Sequence, residues 1–140
     1  MMSIHITKAK FTVDAIIMTE DGGVVLIKRK YPPFQNYYAL PGGFIEKGET
    51  PERALIREVK EETNLDVKIV DKVGYYDEEG RDPRGKVETT AFKCHIAKDS
   101  PDMKSGDDSK HVEVISTQKL KKIDLAFDHS KILKDAGILE

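Results

Sequence analysis

The chain contains no tryptophan and a single cysteine, Cys94, among its 140 residues. One thiol cannot form an intrachain disulfide or a cysteine-rich zinc site, and its place in an apolar alternating run marks it as a core residue. Long hydrophobic stretches are missing as well. No run approaches the eighteen or so apolar residues of a membrane span, and the first ten residues, MMSIHITKAK, lack the apolar centre of a signal peptide. There is no basic excess: 23 Lys and Arg stand against 25 Asp and Glu, for a net charge of −2. A general nucleic-acid binder would show a basic domain or stripe, and the three charges of KRK at 28–30 do not make one. Repeats and low-complexity linkers are also lacking. These features predict a single soluble domain over 1–140, cytoplasmic, with no nucleic-acid and no membrane partner.

What is present reads as strands with two substantial helices. FTVDAIIMT (11–19) and VVLIKRK (24–30) are rich in β-branched residues and flank the turn EDGG, which predicts a hairpin. YPPFQNYYALPGG (31–43) carries three prolines and two glycines and predicts a long ordered loop with a short extended piece near Tyr38–Leu40. A helix is expected over 51–63, with Thr50 as N-cap, Pro51 at its first position and Asn64 in a left-handed cap beyond its end. Its buried stripe would be Ala54, Leu55, Ile56 and Val59. Strands are expected over 65–76, 86–96 and 111–117, with a charged loop at 77–85 and a polar loop at 97–110. A short helical turn at QKLKKI and a terminal helix over 128–138, burying Ile132, Leu133 and Ala136, complete the pattern. The class is α+β, a mixed sheet flanked by helices.

The segment PGGFIEKGETPERALIREVKEETNL (41–65) stands apart, with six glutamates in 25 residues. Glu58, Glu61 and Glu62 are spaced three and four apart, so one helical face carries three carboxylates. A solvated face shared with Arg57 and Lys60 is the bland account. A hard divalent cation is the other, because magnesium takes oxygen ligands and is held by one or two carboxylates plus substrate phosphates. Gly42-Gly43, just upstream, reads either as a tight turn or as a place where main chain approaches a ligand closely and offers a carbonyl.

Gly43, Glu49, Arg57-Glu58, Val59, Glu61-Glu62 and Leu65 together resemble the Nudix box, G-x5-E-x7-R-E-U-x-E-E-x-G-U, where U is apolar. The fixed positions match except the last glycine, which is Asn64 here, and asparagine also tolerates the left-handed backbone. The resemblance implies a Nudix fold, an α/β/α sandwich around a mixed sheet. It also implies magnesium-dependent hydrolysis, with manganese as the alternative metal, of a nucleoside diphosphate linked to another moiety. Carried over position by position, Glu58 and Glu62 would be the main metal ligands and Glu61 a ligand or water-positioning acid. The Gly42 carbonyl would add a donor, and Arg57 would pair with Glu49 behind Glu58. The metal would neutralise the pyrophosphate and acidify water for in-line attack.

Further stretches, IKRKYPPFQNYYALPGG, GRDPRG and LAFDH, resemble the ADP-ribose pyrophosphatase branch of that family and the related domains of bacterial NAD-metabolism regulators. They imply hydrolysis of ADP-ribose to AMP and ribose 5-phosphate. Arg29, Arg81 and Arg84 would contact phosphate or ribose, and Tyr37, Tyr38 and Phe127 are candidates to stack on adenine. For GRDPRG a self-neutralised hairpin connection is the competing reading, and for the aromatics it is core packing. Asp108, with Asp107 and Glu113, is the candidate general base on the polar loop. Two rivals stand beside the first reading: a nucleoside triphosphate sanitising enzyme of the same fold, and a module that senses ADP-ribose without cleaving it. A homodimer, built in part by the amino-terminal residues, is a further expectation.

Overall fold

The structure, a computed structural model, describes residues 8–106 and 109–140. Three of the sheet's strands lie near one another in sequence. Strand β1 (Lys10–Met18) turns into β2 (Val24–Arg29), and the short β3 (Tyr38–Ala39) pairs with the end of β2. Then come β4 (Gly42–Phe44), helix α1 (Pro51–Thr63), β5 (Val67–Tyr76), β6 (Val87–Ile96), β7 (Ser109–Ile115), the one-turn α2 (Thr117–Leu120) and α3 (His129–Asp135).

The sheet runs β3-β2-β1-β6-β5, with β4 added to β1 and β7 to β2. β1 lies parallel to β6 along its whole length, whereas the other pairings are antiparallel. The expected hairpin touches only at its tip, where Met18 faces Val24. Below that point β2 leaves β1, and β4 takes its place opposite Thr12, Val13 and Asp14. The sheet is therefore forked, and the fork opens a cleft between β2 and β4.

Both faces of the sheet are covered. Val13, Ala15, Ile17, Val25 and Ile27 pack with Ala54, Leu55 and Val59 of α1. Ile16, Val24 and Leu26 pack with Leu120, Ile132 and Leu133 of α2 and α3. A strand buried on both sides reads as a continuous apolar run, which is why FTVDAIIM does not alternate. Asp14 is the lone charged residue inside that run and is buried at 7% exposure.

Helix α1 begins where its signals place it. The Thr50 side chain accepts from the Arg53 amide at 3.2 Å, and Asn64 adopts φ 67° at the other end. Two expectations for this region need correction. Ile56 is 43% exposed and does not join the buried stripe. Of the two readings of Gly42-Gly43, the tight turn does not hold: the pair is the core of β4, with neither glycine at positive φ. The absent side chains serve closeness instead, since a Cβ on Gly42 would overlap the Val13 carbonyl of β1. Cys94 is a buried free thiol, and burial pushes its pKa up to about 12.

The polar loop after β6 docks onto the end of α1. Lys104 N donates to Thr63 O at 2.8 Å, and Gly106 N and Ser109 Oγ both donate to Glu62 O, at 3.2 and 3.0 Å. These bonds satisfy the last carbonyls of the helix, which have no partner of their own.

Candidate active site

A cavity of about 370 Å³ fills the fork of the sheet. Strand β1 contributes Thr12 and Asp14, β2 contributes Ile27 and Arg29, and β4 contributes Gly42 to Phe44. Helix α1 adds Glu58 and Glu62, the β5–β6 connection adds Arg81, Asp82 and Arg84, the approach to α3 adds Phe127, and α3 itself adds His129. Its volume and its mixture of apolar walls with a few converging polar groups suit a small-molecule ligand.

The acid side is built on α1. Gly42 N donates to Glu62 Oε1 at 2.7 Å, which ties that carboxylate to β4. The same bond orients the Gly42 carbonyl. Ala15 N donates to Pro41 O and Ile45 N to Phe11 O, so alternate residues of this segment face β1 and Gly42 faces the other way. In an extended strand the N–H and C=O of one residue point to the same side, so the Gly42 carbonyl also faces the α1 side. Gly43 leaves room for Glu58: a Cβ there would lie 2.5 Å from the Glu58 carboxylate carbon. Among the described residues, no three His, Cys, Asp or Glu side chains gather closely enough to hold an ion alone. The fold offers two carboxylates and one main-chain carbonyl with open space beside them, a donor set that suits magnesium, which keeps several waters.

Arg57 braces this side from behind. Its Nε and Nη2 reach the two oxygens of Glu49 at 2.7 and 2.9 Å, and Nη2 also donates to Phe44 O at 3.0 Å. Nη1 donates to Glu58 Oε1 at 2.8 Å and lies 3.4 Å from the Glu61 oxygens. The Arg57 fork and the Glu46 amide hold the Glu49 carboxyl at a pKa of about 2. These bonds, with Glu49 first, push the Arg57 pKa upward. Glu61 is set apart, with its side chain 54% exposed and outside the cavity lining.

The opposite wall is cationic. Arg29 donates through Nε to Pro33 O at 2.7 Å, and its guanidinium lies 4.9 Å from the centre of the Phe127 ring. It has no ion pair among the described residues. Burial and the neighbouring Arg84 lower its pKa, against the pull of Glu62, Asp82 and Asp14. Arg84 lies over the same ring, 5.5 Å from its centre, and also over Phe44 at 5.1 Å. Two guanidiniums therefore share one aromatic platform. Arg84 is chelated by Asp82 at 2.7 and 3.0 Å. Burial opposes the charge on Asp82, and the bonds from Arg84 more than offset it, so its pKa is lowered.

Three predicted binding residues are placed differently from expectation. Tyr37 is not in the cavity lining and packs edge-on against Phe34, with ring centres 5.4 Å apart. Tyr38 is not in the lining either, and its hydroxyl donates to Glu113 on β7. Arg81 does line the cavity, but its fork is occupied by Asp128, at 2.9 and 2.7 Å, and by Val87 O at 3.0 Å. Asp107 and Asp108 lie outside the described residues.

No motif in the sequence gives Asp14 or His129 a role, whereas Asp82 neutralises Arg84 as the competing reading of GRDPRG has it. Asp14 Oδ2 accepts from Thr89 Oγ1 at 2.7 Å, and Oδ1 lies 3.4 Å from His129 Nε2. Burial would raise the Asp14 pKa, but His129, Thr89 and Arg81 together hold it below the usual value. The available signals were a lone aspartate inside an apolar strand and a histidine beside the predicted Phe127.

These features agree with what the chain resembles. The model of the NUDIX domain matches residues 8–136. The protein therefore belongs to the Nudix family, and its α+β architecture is the Nudix fold. An ADP-ribose pyrophosphatase of Methanocaldococcus jannaschii is 47% identical over 123 residues, covering 88% of this chain and 70% of that protein. The ADPR responsive transcriptional repressor NtrR of Acinetobacter baylyi is 32% identical over 130 residues, covering 89% of this chain and 52% of the repressor. The crystal structure of a MutT/nudix family protein from Enterococcus faecalis superposes with a TM-score of 0.82 at 30% identity, covering 97% of this chain and 63% of that one. No helix among the described residues is long and apolar enough to cross a membrane.

Proposed function

We propose that this Nudix domain is a pyrophosphohydrolase that cleaves ADP-ribose to AMP and ribose 5-phosphate with a divalent cation, magnesium in the first instance. The carrying observation is the pairing of opposite walls in one cavity. Glu58 and Glu62 share the cavity with a half-buried Arg29 that has no ion pair among the described residues. The substrate class is supported by the 47% identity to the M. jannaschii pyrophosphatase. Cytoplasmic location belongs to the same reading, since nucleotide metabolites and magnesium are both available there.

Glu58, Glu62 and the Gly42 carbonyl would hold the cation, which when bound supplies positive charge at the diphosphate and polarises water. Arg29 takes a phosphate oxygen opposite the acids, a charge-assisted contact in a partly desolvated site. Phe127 offers its ring to the adenine, with Arg84, held by Asp82, lying over the same ring. Arg57 keeps Glu58 from swinging away, and Gly42 N does the same for Glu62. Glu61, half exposed, is left a supporting role.

Incubation of the pure protein with ADP-ribose and magnesium, followed by chromatography, tests the reading. AMP is the expected product, and rapid turnover of a nucleoside triphosphate with no AMP from ADP-ribose would overturn it. The likeness to the NtrR repressor favours a second reading, binding without cleavage. Calorimetric binding of ADP-ribose with no product in the same sample would select it.

A further inference from the structure

We infer that His129 is a positioning residue that sets the Gly42 peptide, acting through Leu40 and Asp14. The inference rests on the reading of Gly42 as a metal donor.

The chain between β3 and β4 runs Leu40, Pro41, Gly42. Leu40 N donates to His129 Nδ1 at 3.0 Å. A neutral imidazole nitrogen that accepts a hydrogen bond carries no proton, so the ring proton is on Nε2, the nitrogen facing Asp14 Oδ1 at 3.4 Å. Asp14 stands opposite Gly42 in the β1–β4 register. Its Oδ1 would lie 2.8 Å from a Cβ on Gly42, so carboxylate and glycine are in near contact.

These residues close a ring. Leu40 reaches His129, His129 reaches Asp14, Asp14 meets Gly42 across the ladder, and Gly42 returns to Leu40 through Pro41. The return link is stiff, because proline locks its own φ. The ring is largely buried at the edge of the cavity: Leu40, His129 and Asp14 are 2%, 3% and 7% exposed. The Leu40 amide has no other acceptor among the described residues. A displaced Leu40 peptide would therefore be passed along to Gly42. The Gly42 N–H is committed to Glu62 Oε1, so tilting that peptide moves the carbonyl and a carboxylate partner together. His129 packs its ring on Phe127 of the cationic wall, with ring centres 5.4 Å apart, and through Leu40 and Asp14 it governs where the neutral donor sits.

The test is Mn2+ binding without nucleotide, read from the free-ion signal in electron paramagnetic resonance, with thermal melting alongside. His129→Leu keeps bulk and removes both ring nitrogens. His129→Asn places Oδ1 where Nδ1 accepts and loses the reach to Asp14. The leucine variant should bind Mn2+ about tenfold more weakly or worse, as the loss of a partner supporting a metal ligand does elsewhere, and the asparagine variant should recover most of that loss. Equal affinity in wild type and His129→Leu overturns the inference, and so does an asparagine variant as weak as the leucine one. If the leucine variant does not fold, the decision passes to the Leu40 amide, read by NMR hydrogen exchange in wild type and His129→Asn. Slow exchange in both supports the inference, and fast exchange in the wild type overturns it. A wild type that binds no Mn2+ removes the metal reading and this inference together. One that binds Mn2+ but leaves ADP-ribose intact removes only the substrate.

Discussion

Gly43→Ala separates chemistry from folding. Gly43 lies in β4 opposite Val13 and is not at positive φ, so alanine fits its backbone. The new methyl would meet the Glu58 carboxylate at 2.5 Å, where ordinary contact begins at about 3.4 Å, so the carboxylate must withdraw by about 0.9 Å. Glu58 can make that move, because its carboxylate is the far end of a side chain that is still 13% exposed. The core is untouched. Misplacing a reacting group by about 1 Å costs roughly 100-fold in rate, which is about 2.7 kcal/mol of barrier. The expected result is kcat for AMP release down by about two orders of magnitude at saturating magnesium, with little change in Tm. Gly42→Ala is the contrast. Its methyl would overlap the Val13 carbonyl, which is main chain of the central strand, so stability falls along with activity. Wild-type turnover by Gly43→Ala, or its failure to fold, would refute the reasoning.

Glu58→Gln and Glu62→Gln should each lower AMP release by several orders of magnitude with the fold intact. Glu61→Gln should cost much less, and an equal loss would show that the half-exposed acid moves inward. Arg29→Gln should raise KM for ADP-ribose about ten- to hundredfold, the worth of a charged hydrogen bond, with kcat less affected. An unchanged KM would remove Arg29 from the phosphate. Arg81→Met strands Asp128 in a largely buried site and should cost about 3 kcal/mol in urea unfolding. A cost below about 1 kcal/mol would mean that the pair is dispensable. Asp14 has its pKa lowered from 3.8 on folding, so its contribution to stability is complete above that value and fades as pH falls through the lower, folded one. Acid unfolding of Asp14→Asn should therefore depend less on pH below about 4 than that of the wild type, and parallel curves would contradict the assignment.

Local chemistry made α1 legible in the sequence. Thr50, Pro51 and Asn64 mark its ends by backbone rules that act within a few residues, and the spacing of Glu58 and Glu62 follows from the helical repeat. The strands were legible as β-branched runs, but their partners were not. The parallel alignment of β1 with β6 joins residues more than seventy positions apart, and nothing in FTVDAIIM says which strand lies beside it. β4 was missed because two glycines read as a turn, while in the fold they make a strand that must lie against both β1 and Glu58. The site divides in the same way. Its acids come from one helix and were visible in the spacing. Tyr38 and Arg81 were read as free to meet a ligand because their partners, Glu113 and Asp128, arrive from distant elements. Asp14 and His129 carried a signal only as oddities, one charge in an apolar strand and one histidine at the start of a helix.

The docking of the loop after β6 onto α1 bears on whether the site can be transplanted. The Nudix motif is contiguous, so residues 41–65 look like a module that could be cut out and grafted. Their geometry is not contained in them. The last carbonyls of the helix are held by Lys104, Gly106 and Ser109, and β4 owes its direction to β1. A free peptide of this length would lack all of those partners, and a thirteen-residue helix is marginal in water on its own. A graft would have to import the forked sheet and the loop after β6 along with the motif.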